Sequence, residues 1–412
     1  MRKNLFKKVL ALTLASTMAF SMAGCGSKGG SSDAKNDDGT ITLNVWHQWS
    51  NDTNELKSKY EEAVKAYEKE NSGVKIKTET LDTEAYKTKI NAEFAGDAKG
   101  IDVFYWWGAG TAKKLVDAGK VMALDDYVTD DVKSKILEGS TSAFEFDGKL
   151  YSVPMFSWYM TLFCNKTMFD KAGATLPTTY DELVDAVKKL KKLDGVTPMA
   201  AGAKDGWNAA FVYQALALRE VGATGVNEML SGNKEFGDEG FKKAAQKVSD
   251  LYEMGAFGDN PLEQGNDDAN AAYENGKAAR RLMGSWFANN VYTDDAATIK
   301  PEEVVALKIP TIADGKGEAT DYCGGFVESF WVNNNTKYKE EAAKFCIYIN
   351  EKMGVASYET GSGFSGWTTP ADESNLNPLF IQIKDLLAEG KQGVLAWDTS
   401  LESEPAAVHK KR

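Results

Sequence analysis

The chain has 412 residues, a formal net charge of −12 and a pI of about 5.0. An acidic chain offers no basic stripe that could follow a phosphate backbone, which excludes a nucleic-acid partner. Its length allows two lobes, each with its own hydrophobic core. The two histidines and four cysteines are widely separated in the chain and form none of the closely spaced pairs of a typical zinc centre.

The first residues have the parts of a secretory signal peptide. Four basic residues open the chain, and an apolar stretch at 9–23, too short to span a bilayer, follows them. Small residues and Cys25 close this stretch, an ending similar to the bacterial lipobox, in which the cysteine is acylated. We therefore predict a signal peptide at 1–24 and lipidation of Cys25. An ordinary cleaved signal and an uncleaved anchor are the alternatives.

A polar segment follows Cys25. Residues 26–39 are mainly Gly, Ser, Asp, Asn and Lys, a composition that is too polar to collapse. We predict a lipid-attached flexible tether at 25–39, which places the folded part outside the cell, on the outer face of the membrane. The membrane would then be a partner through the lipid anchor only.

The first half of the folded part alternates strands with helices. Tyr86, Ile90 and Phe94 recur at four-residue spacing, as the buried face of a helix requires. The run at 101–107 is continuously apolar, which indicates a buried strand. The predicted elements are a strand at 41–46, a helix at 52–70, a strand at 74–78, a helix capped by Asp82 or Thr83, and a strand at 101–107. This order predicts a mostly parallel α/β sheet.

The second half repeats this alternation. Thr179 and Glu182 form a capping box before an amphipathic helix. We predict an extended segment at 151–163, helices at 208–221, 240–254, 268–279 and 338–353, and strands near 281–285, 304–309 and 326–332. The whole pattern predicts two α/β lobes with a cleft between them, where ligands bind beyond the carboxyl ends of the strands.

Signatures of catalysis are scarce. The histidines are His47 and His409, and no nucleophile elbow, Walker loop or dinucleotide fingerprint accompanies them. Cys164, Cys323 and Cys346 fit no zinc or redox spacing, so we predict that they are buried apolar residues. A Cys164–Cys323 disulfide is the alternative. The sequence thus predicts a protein that is not an enzyme, without metal or cofactor.

Tryptophans stand where strands should give way to loops. A pyranose has an apolar face that flat aromatic rings cover, and an edge of hydroxyls that bind Asp, Asn, Gln and Glu. The tryptophans in such places are Trp46, Trp49, Trp106, Trp107, Trp158, Trp207, Trp286, Trp367 and Trp397. Any one of them could be ordinary half-buried packing, but the set favours a sugar site.

Three ordered motifs resemble a known family. DGKLYSVP at 147–154 leads to FCNK at 163–166 and TYDEL at 179–183. GKAA at 276–279 precedes MGSW at 283–286, and GGF at 324–326 precedes EEAAKF at 340–345. These motifs are similar to those of the extracellular solute-binding proteins of carbohydrate ABC importers, the maltose-binding-like family, over most of residues 41–400.

The resemblance implies a two-lobed, type II periplasmic-binding-protein-like α/β fold, with an interlobe cleft and crossover hinge strands. Lobe one would be 40–155 and 315–354, and lobe two 156–314 and 355–412, with crossovers near 154–158, 310–321 and 354–360. It also implies a monomer that binds an oligosaccharide and delivers it to the permease subunits. An α-galactoside, α-glucoside or xylan fragment would suit, and we favour a raffinose-type sugar.

The tryptophan pattern and the resemblance together give a set of predicted ligand-binding residues. They are His47, Gln48, Trp49, Trp106, Trp107, Trp158, Asp205, Trp207, Trp286, Gly325, Phe326 and Trp367. The chain departs from the family at Cys164, where a tyrosine is usual, and at Arg280-Arg281, where apolar residues are common. Relatives usually continue beyond residue 412 with a final helix, so truncation is an open expectation.

Two other functions remain possible from the residues alone. A secreted glycoside hydrolase would also need aromatic platforms, together with two carboxyl groups about 5–10 Å apart. With 60 acidic residues, candidate pairs are certain to exist and carry little weight. A surface adhesin that holds polysaccharide without importing it is the second alternative.

Overall fold

The structure is a computed structural model that describes residues 39–52, 54–293 and 297–401. The predicted signal peptide, the predicted lipidation site Cys25 and the predicted tether up to residue 38 lie outside the described residues, as do 402–412. Within the described ranges, no helix combines the length and the apolar character needed to cross a bilayer.

The strands are β1 (Ile41–His47), β2 (Val74–Thr80), β3 (Val103–Trp107), β4 (Glu145–Phe146), β5 (Lys149–Leu150), β6 (Phe156–Asn165), β7 (Arg280–Gly284), β8 (Val304–Leu307), β9 (Asp321–Val332), β10 (Phe364–Ser365) and β11 (Gln392–Val394). β4 and β5 form a separate hairpin. The other strands belong to one curled sheet, in which β10, β6, β9, β3, β1 and β2 are neighbours in that order.

The helices are α1 (Glu55–Glu70), α2 (Thr83–Ala95), α3 (Gly110–Asp117), α4 (Asp130–Lys135), α5 (Lys166–Ala172), α6 (Tyr180–Leu190), α7 (Trp207–Leu230), α8 (Glu239–Glu253), α9 (Asn266–Glu274), α10 (Phe287–Thr293), α11 (Lys339–Glu359), α12 (Pro378–Ala388) and α13 (Trp397–Ser400). Asp82 caps α2, and the predicted capping box of Thr179 and Glu182 starts α6. Both predictions are confirmed.

The first strands pair as the sequence predicts. β1 is parallel to both β2 and β3, so the strand–helix–strand alternation does produce a parallel unit. β9 then runs antiparallel to β3, which makes the sheet mixed. The α/β class is therefore confirmed for the described residues.

Two long strands connect the parts of the sheet. β9 pairs with β3 through residues 328–332, with β6 through 324–328, and with β11 through 321–323. β6 pairs with β9 at its start and with β7 and β8 along the rest of its length. The register of β6 on β9 shifts between Phe156 and Ser157, as at a β-bulge. β6 and β9 are therefore the strands shared by both halves.

Separate hydrophobic cores form along different parts of these two strands. One surrounds β1–β3, α1, α2 and α11. A second surrounds the far part of β6 with α6, α7 and α8, and a third lies beneath α10 and α12. Trp367, which the predicted bounds place in lobe two, packs in the first core. The lobe bounds stay a prediction.

Glycines explain where two predicted helices differ from the observed ones. α7 was expected to end at 221; the backbone breaks there at Gly222, with φ 74°, but the helix resumes and continues to Leu230. The helix predicted at 268–279 ends at Glu274, because Gly276 has φ 65° and β7 begins at Arg280. Positive φ values end a regular helix and favour glycine.

The structure confirms the prediction that three of the cysteines are buried apolar residues. Cys164, Cys323 and Cys346 are free and buried, so the alternative disulfide between Cys164 and Cys323 is not formed. Burial raises the pKa of the Cys164 and Cys323 thiols to about 12, which keeps both protonated at neutral pH.

Candidate ligand site

Four aromatic side chains form a cluster on the second core. Trp158 on β6 stacks on Phe211 of α7, with centroids 5.5 Å apart and planes at 26°. The same indole meets Trp286 edge to face at 5.0 Å, and Trp207 meets Phe211 at 5.2 Å. Three of the predicted tryptophans, from β6, the end of β7 and the start of α7, are thus brought together around Phe211.

Lys87 extends this aromatic cluster to the first core. Its ammonium nitrogen lies 5.0 Å from the ring centroid of Trp107, the last residue of β3, and 6.0 Å from that of Trp207. Cations at such distances are attracted by the ring face. Glu84, one turn earlier on α2, forms an ion pair with Lys87 at 2.9 Å. Nothing in the sequence singles out Lys87, because a lysine beside the buried face of a helix is common.

Trp107, Trp158, Trp207 and Trp286, which are called the group around Lys87 below, differ in exposure. Trp107, Trp207 and Trp286 are half-buried, so part of each ring is open to solvent or a ligand. Trp158 is buried, and its indole Nε1 has no hydrogen-bond partner within the described residues. A buried N–H group without a partner is unfavourable, and a ligand hydroxyl or a water would satisfy it.

A buried carboxyl group lies beside Trp107. The Tyr105 hydroxyl donates a hydrogen bond of 2.5 Å to Glu328 Oε2, and Trp107 is the residue opposite Glu328 where β3 pairs with β9. Burial raises the pKa of Glu328 to about 7, although the Tyr105 hydroxyl, the Trp107 side chain and the positive charge of Lys87 act in the opposite direction. Glu328 is not among the predicted residues, and its signal in the sequence is the one charge within the otherwise mostly apolar stretch 326–332.

His47 and Trp49 lie within the first core. His47 is 1% exposed, and its Nδ1 accepts a hydrogen bond from the Trp49 backbone N–H at 3.2 Å. Its ring meets that of Tyr60 at 4.2 Å, while Trp49 packs against Tyr105 and Phe330. Burial lowers the pKa of His47 to about 3. These contacts give both side chains a packing role; a role in ligand binding stays a prediction.

Trp106 and Trp367 are also buried and have protein partners. Trp106 Nε1 donates to the Thr111 carbonyl at 3.4 Å, and Trp367 Nε1 donates to the Pro154 carbonyl at 2.7 Å. Each indole is about 5% exposed or less, which leaves little ring surface for stacking on a sugar. The structure does not bring these two residues into the group around Lys87, and their predicted ligand contacts stay predictions.

The remaining predicted residues occupy different places in the fold. Asp205 accepts a hydrogen bond from the Asn266 backbone N–H and so fixes the turn before Trp207. Gly325 pairs with Trp158 across β9 and β6, and Phe326 pairs with Ser157. Gln48 is half-buried, and its Oε1 has no described hydrogen-bond partner. Direct contacts of these residues with a ligand stay predictions.

Two cavities on the described surface are less suited to a sugar. One, of about 420 Å³, is lined by α4 and the β4–β5 hairpin, with charged residues such as Asp125 and Lys133 but no aromatic ring. The other, of about 40 Å³ beside β8 and α12, is too small for a sugar ring. Within the described ranges, no group of His, Cys, Asp and Glu could hold a metal ion. The site around Lys87 is therefore the better candidate.

The family of the chain follows from sequence comparison. The profile of the family described as bacterial extracellular solute-binding protein matches residues 50–355. The chain belongs to this family, which confirms the resemblance found in its motifs.

Individual relatives agree with this class. A protein solved in work on xylan utilization by the thermophilic bacterium Caldanaerobius polysaccharolyticus is 36% identical, with a TM-score of 0.85 over 90% of this chain and 94% of that one. The multiple sugar-binding protein of Streptococcus mutans is 23% identical over 86% of this chain and 80% of its own length. An ABC transporter extracellular-binding protein of Pyrococcus horikoshii is 26% identical over 66% of this chain and 61% of its own length. The two-lobed periplasmic-binding-protein-like fold is thereby confirmed.

Proposed function

We propose that the protein binds an oligosaccharide between its two lobes and delivers it to the permease subunits of an ABC importer. The observation that carries this proposal is a set of half-buried indoles where the first and second cores meet: Trp107, which packs against both cores, and Trp207 lie next to Lys87, and Trp286 contacts Trp158 beside them. The family of the chain and the names of its relatives support the same ligand class.

The chemistry of the site suits a neutral sugar chain. Indole faces cover the apolar C–H face of a pyranose, while the Lys87 ammonium can donate to hydroxyl oxygens. Because each indole face covers about one sugar ring, several such faces suit a chain of several sugar units. The solved relative from work on xylan utilization makes a xylan-derived oligosaccharide the first candidate, ahead of the raffinose-type sugar favoured by the sequence alone.

Lobe closure would be the signal to the importer. Lobe one (40–155 and 315–354) and lobe two (156–314 and 355–412) would turn about β6 and β9, which both parts of the sheet share. Only a ligand that touches both lobes stabilises the closed form. Acylated Cys25 and the tether at 25–39 would hold this monomer on the outer face of the membrane, and the sugar would be released unchanged, without a cofactor.

Isothermal titration against xylotetraose, maltotetraose, raffinose and chitotetraose tests the proposal. We expect saturable heat with at least one sugar and no change in that sugar after overnight incubation, checked by chromatography. Hydrolysis products would instead indicate the glycoside hydrolase. No heat with any saccharide, together with binding of a peptide, would overturn the proposal.

A further inference from the structure

The guanidinium of Arg281 occupies an unusual place for a charged group. Arg281 lies on β7, where it pairs with Phe163 of β6, and it is 1% exposed. Burial lowers the pKa of Arg281 to about 9, so the guanidinium keeps its positive charge at neutral pH. Burying a charge is costly unless hydrogen bonds replace the lost water. The partners of this guanidinium therefore show what the charge does in the fold.

The guanidinium donates five hydrogen bonds, as many as it has N–H groups. The acceptors are Asn208 Oδ1, Asn266 Oδ1 and Asn270 Oδ1 at 2.6, 3.0 and 3.1 Å, and the carbonyl oxygens of Ala200 and Ala201 at 3.2 and 3.3 Å. All five belong to neutral amide groups. A lysine could not replace this set, because its three donors share one nitrogen atom.

These acceptors lie on both sides of Trp207 in the chain. Residues 200–201 lead into the turn before Trp207, and Asn208 follows it on α7. The backbone N–H of Asn266, whose side chain also bonds to Arg281, donates to Asp205 in the same turn. One side chain therefore holds the segment that enters the turn, the turn itself through Asn266, and the helix that leaves it.

The start of α7 lacks a capping side chain. Its N-cap residue is Gly206, with φ 67°, and a glycine has no side chain to accept bonds from the first backbone N–H groups. Trp207 is the first residue of this helix, so contacts from elsewhere must fix its backbone. Arg281 provides such a contact at the next residue, through its 2.6 Å bond to Asn208.

We propose that Arg281 is a positioning residue for the candidate site, which fixes the Trp207 indole for the ligand by holding the chain on both sides of it. This inference rests on the proposed function. It extends that function because it names a residue that sets ligand affinity through Trp207 without touching the ligand.

Titration calorimetry with the sugar that binds compares Arg281→Lys with Arg280→Lys. Arg280 is the matched control, because it is also buried on β7, points to the opposite face of the strand, and donates to the carbonyls of Pro198 and Leu183, outside the site. We expect Arg281→Lys to raise the Kd about fivefold or more, and Arg280→Lys to leave it within about twofold of wild type. Circular dichroism checks that both variants are folded.

A double variant separates positioning from a general loss of stability. If Arg281 acts through the indole, its replacement matters only while the indole is present. Arg281→Lys with Trp207→Ala should then bind within about twofold of Trp207→Ala alone. A purely structural role would instead weaken binding by the same factor with or without the indole.

Several results would overturn the inference and leave the proposed function intact. They are additive losses in the double variant, an unchanged Kd in Arg281→Lys, an equal loss in Arg280→Lys, and a Trp207→Ala variant that binds like the wild type. A wild type that binds no sugar would overturn both.

Asn208→Ala and Asn270→Ala decide the question if Arg281→Lys fails to fold. Each removes one acceptor of the same guanidinium, but only Asn208 lies next to Trp207, whereas Asn270 lies on α9. We expect Asn208→Ala to raise the Kd about threefold or more and Asn270→Ala to leave it within about twofold of wild type. Equal Kd values for these two variants would overturn the inference.

Discussion

The ammonium nitrogen of Lys87 lies 6.0 Å from the ring centroid of Trp207, although the two residues belong to helices that pack on different hydrophobic cores. Lys87 follows Tyr86 of the first core, whereas Trp207 packs against the second and third cores. The same ammonium is 5.0 Å from Trp107. This ammonium group therefore lies where side chains of the first and second cores meet, and a ligand bound there would contact both.

Truncating Trp207 tests its role as a platform. We expect Trp207→Ala to raise the Kd for the bound sugar about tenfold or more, because the stacked apolar surface is worth about 1–3 kcal/mol. Calorimetry measures this effect. Tyr252→Ala removes another aromatic ring, 56% exposed on α8 and outside the site, and should leave the Kd within about twofold of wild type, inside the scatter of distant surface changes. Equal losses in both variants would argue against a platform.

Replacing Lys87 by methionine keeps a long apolar side chain and removes the charge. A cation over aromatic rings contributes about 0.5–2 kcal/mol, so Lys87→Met should raise the Kd about 2- to 30-fold. Lys89→Met is the matched control, because Lys89 belongs to the same helix and lies 4.7 Å from the buried Trp46, outside the site. If calorimetry gives the same loss for both variants, the charge of Lys87 has no special role.

The sequence predicted the elements of the fold better than the members of the site. Hydrophobic periodicity and capping residues place α2 and α6 correctly, since these signals are local. The exposure of an indole is not local. Trp106 and Trp107 are neighbours that point to opposite sides of β3, and only the packing of other elements leaves Trp107 half-buried.

Glu328 and Lys87 could not be found from the sequence for a related reason. A charge in an apolar strand indicates either an exposed edge or a buried partner, and the partner Tyr105 is more than 200 residues away. The pairing of β9 with β3 brings them together, and that pairing depends on the whole sheet.

The buried His47 should make the protein less stable in acid. Its pKa is about 3 when folded and about 6.5 when unfolded, so below pH 6.5 the unfolded chain binds more protons and stability falls as the pH drops toward 3. The slope approaches about 1.4 kcal/mol per pH unit. Urea unfolding at pH 4.5, 5.5 and 6.5 measures it. His47→Asn should lower stability at pH 6.5 but reduce this slope; an unchanged slope would show that other groups cause it.

Gly324 should be among the least replaceable glycines, because it combines an unusual backbone with a close approach. Its φ is 140°, and a Cβ there would lie 2.0 Å from the Trp158 carbonyl oxygen, where β9 pairs with β6. We expect Gly324→Ala to destabilise the fold by about 3 kcal/mol or more, since backbone strain and displacement of β6 both contribute. Gly139→Ala is the control, with φ 80° but nothing within 4 Å of a new Cβ, and it should cost about 1–2 kcal/mol from strain alone. Urea midpoints compare the two variants. Equal losses would mean that β6 can move away without cost, and that the contact between the shared strands is loose.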